Sequence, residues 1–417
     1  MPGAAVAWHR GVMVQHVVVV GASLAGLRAA ETFRSEGFDG RLTLVGAEPH
    51  LPYDRPPLSK KVLAGEWDAD RIALRKPGGY DELGLEFRLG TAATGLDVAQ
   101  RRVDLSDGSS VPYDALVIAT GAGCRRLPNQ PDLPGIHELR TLDDALALRA
   151  DLDATPQHVV VIGAGFIGAE VAATARSRGL EVTMVEALPV PMARGLGPVL
   201  GDACAEIHRD HGVRLRLGVG VDAIEGGTRV ERVRLGDGTI LDADVVVVGI
   251  GVQPATGWLA DSGLTLRDGV VADETLAAGP PGVYVAGDVA RWPNPRYGEE
   301  MRVEHWTNAA EQGALAAHNA LTVAAGGAGV PYDPVPFFWS DQYDARIQFL
   351  GRASGDDDVV IAIGDVASRR FVALHGRAGR LRGVFGLSMP RALMSYRKLL
   401  LEGASWDEGL AHAATLA

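Results

Sequence analysis

Short apolar runs, each broken by glycine, set the rhythm of this chain. The segment HVVVVGASLAGLRAAETF (16–33) opens with one such run at 17–20, short enough for a buried strand. After its glycine loop, Leu24, Leu27, Ala30 and Phe33 recur at helical spacing. Gly37 and Gly40 close that helix, and RLTLVGAE (41–48) reads as the next strand. Strand, loop, helix and strand form a βαβ opening with parallel strands. The segment HVVVIGAGFIGAEVAATA (158–175) repeats the plan almost word for word. It predicts a strand at 159–162 and a helix at 165–178, and EVTMVEA (181–187) supplies the next strand, ending in Glu186. A duplication of this kind predicts two nucleotide-binding units.

Three further runs, DALVIATG (114–121), DADVVVVGIG (242–251) and VYVAGD (283–288), are continuously apolar and end in or near glycine. That is the signature of parallel strands covered on both faces. From Val330 the texture changes. VPYDPVPFFWSDQYDARIQFLG is rich in proline and aromatics, and RIQFLG and RRFVAL then alternate, as strands of a small antiparallel sheet do. LTVAAGGAGVPYDP (321–334) is expected to be a linker. The pattern predicts an α/β chain: two Rossmann-like dinucleotide-binding domains and a small α+β C-terminal domain.

Length and composition fit that picture. A chain of 417 residues, 47% hydrophobic and 22% charged, has material for several cores. A formal net charge of −12 argues against nucleic acid as the main partner. No apolar run reaches the ~18 residues of a membrane span. The opening MPGAAVAWHRGVMV lacks the pattern of a secretory signal and is expected to be an unstructured extension, with Met13 a possible alternative start. The two cysteines, Cys124 and Cys204, are far apart and form no Cys-x-x-Cys. This excludes a redox disulfide motif of that type, offers no metal-ligand set, and suits the cytoplasm.

In a βαβ glycine loop the first glycine turns the chain tightly out of the strand. The second lets backbone approach a pyrophosphate, and the third lets helix and strand pack closely. Helix-start amides then face the anion. Gly163, Gly165 and Gly168 meet all three needs. Gly21 and Gly26 meet the outer two, with Ser23 at the middle position as a small substitute whose hydroxyl can donate to phosphate. Glu186, at its strand end, is placed to accept from ribose hydroxyls and to repel a 2′-phosphate, which favours NADH over NADPH. Glu48 is the corresponding candidate in the first unit.

The order of the first glycine loop, ATG (119–121), the second loop and YVAGD (284–288) resembles the two-dinucleotide-binding flavoproteins that include glutathione reductase. LPYDRPPLSKK (51–61), LRTLDDA (139–145), VEHWTNA (303–309) and FFWSDQY (337–343) narrow the resemblance. They look like the FAD-dependent NADH:ferredoxin reductases of the putidaredoxin reductase and biphenyl dioxygenase reductase type. The resemblance implies FAD in a domain made of 14–122 and 252–330, NADH in 123–251, and a C-terminal domain at 331–417. It implies FAD contacts from Gly21, Ser23, Ala25, Gly26, Glu48, Arg55, Lys60, Ala93, Thr120, Gly121, Arg140, Gly287, Asp288, Glu304 and Trp306. For NADH it implies Gly163, Gly165, Ile167, Gly168, Glu170, Glu186 and Gly251. Lys60 and Glu170 are implied as a catalytic pair, the lysine near flavin N5 and the glutamate facing the nicotinamide. One departure is Ala47, where some members carry an aspartate that contacts the adenosine ribose; Glu48 is the candidate substitute.

Without a cysteine pair beside it, the flavin must pass electrons directly to its acceptor. The acceptor implied is an iron–sulfur ferredoxin that serves a haem-thiolate monooxygenase or a Rieske-type dioxygenase, bound transiently by charge to a monomer or weak dimer. SRRFVALHGRAGRLRG (368–383), with Arg369, Arg370, Arg377, Arg380 and Arg382, is a candidate docking stretch. Rubredoxin reductase, NADH oxidase and monodehydroascorbate-type reductase remain open within the same fold. A redox-sensing or binding flavoprotein like apoptosis-inducing factor remains open in a different class.

Overall fold

The computed structural model describes residues 6–8, 12–76 and 78–416. The chain divides into two compact units. One comprises Met1–Asp54, Ala73–Gly123 and Gln253–Pro336; the other comprises Arg55–Ile72, Cys124–Val252 and Phe337–Ala417.

In the first unit a five-stranded sheet runs in the order Val283–Val285, Ala115–Ile118, His16–Val20, Arg41–Val45, Glu86–Arg88, and every pairing is parallel. The second unit has the same construction. Its order is Ile136–His137, Val245–Val248, His158–Ile162, Glu181–Glu186, Arg214–Leu217, again all parallel. The central strands are buried throughout at 17–20 and 159–162, which is why each reads as an unbroken apolar run. Each is followed by a glycine-loop helix, Leu24–Ser35 in one unit and Phe166–Ser177 in the other.

The duplication runs well beyond the glycine loops. After its outer parallel strand each unit makes a three-stranded antiparallel excursion before returning to the sheet. The first is Ala93–Asp97, Arg102–Leu105 and Ser110–Pro112; the second is Val221–Gly226, Val230–Leu235 and Ile240–Asp242. These half-exposed strands contain no glycine-bounded apolar run, so the sequence pattern does not announce them. The entry to each central strand is pinned alike. Asp114 Oδ2 accepts from the Gln15 and His16 amides at 2.8 and 2.9 Å, and Asp244 Oδ2 accepts from those of Gln157 and His158 at the same distances.

From residue 337 the alternating segments form a five-stranded antiparallel sheet: Phe337–Gln342, Ala345–Gly351, Arg380–Leu387, Arg370–Arg377, Asp358–Asp365. Ile347, Phe349, Phe371, Phe385 and Leu387 pack with Leu196, Leu200, Cys204 and Ile207 of the helix Ala193–Asp210. That shared core ties the C-terminal sheet into the second unit. Burial pushes the Cys204 thiol up to about 12, so it stays protonated.

Two expectations need correction. The stretch 321–334 is not a free linker. The helix Trp306–Ala324 occupies its first residues, Asn319 hydrogen-bonds both the N–H and C=O of Val330, and Tyr332 is buried. Alanines and a β-branched pair continue the helix until Gly326 turns the chain at φ +85°. At the other end, Val6–Trp8 pairs antiparallel with Val12–Val14, so that part of the opening is ordered. Residues 1–5 and 9–11 of the expected extension lie outside the described residues.

Candidate dinucleotide and electron-transfer sites

The outer glycines of both loops are required by packing. Gly21 and Gly163 adopt φ +121° and +99° as the chain leaves the strand. A Cβ at Gly21 would lie 2.0 Å from the Ala119 carbonyl oxygen, and one at Gly163 would lie 2.3 Å from that of Gly249. At Gly26 and Gly168 a Cβ would lie 1.9 and 2.1 Å from the carbonyl oxygens of Gly21 and Gly163. The middle glycine differs. A Cβ at Gly165 would meet nothing within 4 Å, so this position opens onto free space. Neither Ser23 nor Gly165 caps its helix through a side chain. First-turn amides without such a cap, beside an open cradle, fit the pyrophosphate of a dinucleotide.

Around the first loop the first unit gathers its share of the expected residues. Gly287, at φ +80°, brings the Gly-Asp turn against Ala25, since a Cβ there would lie 3.2 Å from the Ala25 Cβ. Its amide donates to Gln312 Oε1 at 2.8 Å, which holds Asp288 in that turn. Thr120 Oγ1 donates to the Ala255 carbonyl at 3.0 Å, and the Gly121 carbonyl accepts from the Ala255 amide at 3.0 Å. The Trp306 indole donates to Asp54 Oδ1 at 2.6 Å, and Glu304 pairs with Arg302 at 2.6 Å. Ala93 begins the antiparallel excursion, two residues beyond Thr91, whose amide bonds the Gly46 carbonyl.

The strand register refines the acidic pair. Val45 and Val185 hold the same place, each carbonyl accepting from the first loop glycine at 2.7 Å. Glu186 therefore corresponds to Gly46, and Glu48 lies two residues further on. Glu48 accepts from the Tyr53 hydroxyl. Glu186 is held by backbone: Oε2 accepts from the Ala164 amide at 2.8 Å and Oε1 from the Leu188 amide at 2.9 Å.

In the second unit the helix Phe166–Ser177 presents a stripe at every fourth residue. Four residues of helix rise about 6 Å, close to the advance of two strand residues. The Phe166 ring packs on Phe338 with centroids 4.7 Å apart. One turn on, Glu170 is 3% exposed and fully engaged. Its Oε2 lies 2.6 Å from Lys60 Nζ and accepts from Ser59 Oγ at 2.5 Å, while Oε1 accepts from Ser340 Oγ at 2.7 Å. Next, Thr174 Oγ1 donates to the Ser59 carbonyl at 2.8 Å. Finally Arg178, just past the helix end, donates to the Leu63 carbonyl at 2.9 Å. Arg55 Nη1 donates to the Arg140 carbonyl, so those two residues also meet. Ile167 is 46% exposed beside the loop, and Gly251 turns the chain at φ +103°.

Ser59, Ser340 and Gln342 escaped sequence reasoning, although PPLSKK and FFWSDQY contain them. The signal was the spacing of 166, 170, 174 and 178, which becomes informative only once the partners of that face are known. The arginine-rich stretch forms no single basic patch. Arg370 and Arg377 stand at opposite ends of one strand, about 23 Å apart at ~3.3 Å per residue. Arg369 pairs with Asp210 at 2.8 Å and Arg377 with Asp357 at 3.0 Å. The strand separates those two, while the hairpin turn sets Arg377 opposite Arg380.

Known proteins bear the same marks. Residues 15–313 match the family described as pyridine nucleotide-disulphide oxidoreductase, and residues 337–415 match the reductase C-terminal family. The chain is 40% identical to rhodocoxin reductase of Rhodococcus erythropolis over 386 residues, 92% of this chain and 89% of that one. It is 38% identical over 364 residues to the ferredoxin–NAD(+) reductase component of the biphenyl dioxygenase system of Paraburkholderia xenovorans, 87% of each. Its fold superposes on the reductase of the covalent putidaredoxin reductase–putidaredoxin complex with a TM-score of 0.88 and 32% identity, covering 97% of this chain and 99% of that one. With duplicated sheets, paired glycine loops and the C-terminal sheet in place, this chain belongs to the pyridine nucleotide-disulphide oxidoreductase family, in the branch that carries the reductase C-terminal domain.

Proposed function

We propose that this chain is an FAD-dependent NADH:ferredoxin oxidoreductase supplying electrons to a haem-thiolate monooxygenase or a Rieske-type dioxygenase. The observation that carries the reading is the doubled glycine loop of this chain, which is similar along most of its length to proteins named as ferredoxin–NAD(+) reductase components. When bound, FAD takes a hydride from NADH and releases the electrons one at a time.

The chain's own residues supply binding, orientation and charge. The first loop, Thr120, Gly121, Gly287 and Asp288 hold FAD, in a domain made of 14–122 and 252–330. Residues 123–251 hold NADH: Gly165 admits the pyrophosphate, Glu186 takes the ribose hydroxyls, and Ile167 offers an apolar contact. Lys60, steadied by Glu170, provides the positive charge that favours the reduced ring. Neither cysteine forms a disulfide, and the raised Cys204 thiol is a poor nucleophile. The ferredoxin is bound transiently by an enzyme that works as a monomer or weak dimer in the cytoplasm. No helix among the described residues is long and apolar enough to cross a membrane.

The test is anaerobic reduction of the yellow protein by NADH, followed by cytochrome c reduction with and without an added ferredoxin. Cytochrome c should be reduced rapidly only when ferredoxin is present. Equal rates in its absence, or a long-lived reduced complex that ferredoxin does not discharge, would favour an oxidase or a sensor.

A further inference from the structure

The Glu170 carboxylate has two oxygens doing different work. Oε2 faces Lys60, and Oε1 turns away toward the C-terminal sheet, where Ser340 Oγ meets it at 2.7 Å. Ser340 and Gln342 are fully buried on the strand Phe337–Gln342. Gln342 Nε2 donates to Ser340 Oγ at 3.1 Å. An ionised carboxylate can only accept, so the Ser340 hydroxyl hydrogen is committed to Glu170. A directed chain results: Gln342 amide to Ser340 hydroxyl to Glu170 Oε1. The Phe166–Phe338 contact, one helical turn and two strand residues away, fixes the register that aligns it. Ser59 anchors the Lys60 side of the carboxylate, so rotation about the Glu170 side chain is blocked at both oxygens.

We propose that Ser340, oriented by Gln342, is a positioning residue for the Lys60–Glu170 pair, so that the C-terminal sheet sets the direction of the charge that supports hydride transfer. This rests on the role given to Lys60 and Glu170 above. Without Ser340, the buried carboxylate loses the contact that fixes one of its oxygens. It swings, and Lys60 loses a defined partner.

The test compares the natural chain with Ser340→Ala, Ser340→Thr and Gln342→Met, with Lys60→Met and Glu170→Gln as controls, all as flavin-loaded protein. Two quantities are read. One is the single-turnover rate of flavin reduction by saturating NADH, alongside the NADH dissociation constant. The other is competitive amine labelling of Lys60 by acetic anhydride, scored by mass spectrometry against the adjacent, half-exposed Lys61. Ser340→Ala should slow reduction by about tenfold, the loss of one hydrogen bond to a charged group, with NADH affinity unchanged. It should raise the Lys60-to-Lys61 labelling ratio, and Ser340→Thr should restore both. Gln342→Met should move both in the same direction by less. If Lys60→Met and Glu170→Gln slow reduction while Ser340→Ala does neither, the inference is overturned and the catalytic pair stands. If the controls are also unchanged, the catalytic-pair reading itself falls. Should Ser340→Ala fail to fold, Gln342→Met decides: natural rate and labelling ratio overturn the proposal.

Discussion

Arg28 and Glu170 occupy the same place on two copies of one helix, seven residues after the first loop glycine. In the first unit that place holds a part-exposed arginine paired with Glu31 at 2.6 Å. In the second it holds a buried carboxylate engaged by Ser59, Lys60 and Ser340. Ala25 and Ile167 diverge in the same way: the first is buried beside Gly287 and the second is half exposed. Gly46 and Glu186 are a third pair, and a Cβ at Gly46 would lie 2.6 Å from the Ala22 Cβ. The strand order, the loop glycines and the aspartate pins are common to both units, because parallel pairing and close helix packing leave little choice. The surroundings of Glu170 differ because its partners Ser59, Lys60 and Ser340 lie outside the repeat, in 55–72 and the C-terminal sheet.

The comparison can be broken most severely at the loop glycines. Gly21→Ala and Gly163→Ala each drive a side chain into backbone in a left-handed conformation. Gly163→Ala should give yellow protein that NADH reduces at least about 100-fold more slowly, while Gly21→Ala should purify without flavin. Absorbance spectra and anaerobic NADH reduction of the two purified variants separate these outcomes.

Acid should weaken the second unit through two of its buried histidines. Burial pushes the imidazoles of His208 and His375 down to about 4, well below the unfolded value near 6.5. Each folded ring stays neutral while the unfolded chain takes up a proton. Stability is thus complete above pH ~6.5 and falls as pH drops toward ~4, on the order of 3 kcal/mol per histidine. Hydrogen exchange against pH should show the second-unit core losing protection in that window, and His208→Gln should flatten the profile.

The smallest effect concerns the acids. Glu186→Ala should lower kcat/KM for NADH by about tenfold, the value of one charged hydrogen bond, and narrow the preference over NADPH. Glu48→Ala, which removes the acceptor of the Tyr53 hydroxyl, should lower flavin content by less than Gly21→Ala does. Steady-state kinetics with both nucleotides, beside flavin-to-protein ratios, checks the pair.

Much of this architecture was legible in the sequence, since fully buried parallel strands must be apolar and glycine loops must be glycine. The two antiparallel excursions were not, because half-exposed strands carry mixed residues that resemble loops. The Lys60–Glu170 meeting came from resemblance; no local pattern joins residues 110 positions apart. Ser340 was hidden for the same reason. The arginine stretch reads as one cluster because composition records neighbours along the chain, whereas the strand carries Arg370 and Arg377 to its opposite ends. The placing of Glu48 failed by two residues, which only strand register reveals.

The central claim is that one chain holds FAD in its first unit and NADH in its second and moves electrons between them without a thiol. Anaerobic titration with NADH of the purified protein and of its Cys124→Ser/Cys204→Ala double variant tests this most directly. The account predicts one bound flavin per chain, bleached by one equivalent of NADH at an unchanged rate. A colourless natural protein, or bleaching lost in the flavin-loaded double variant, would contradict it.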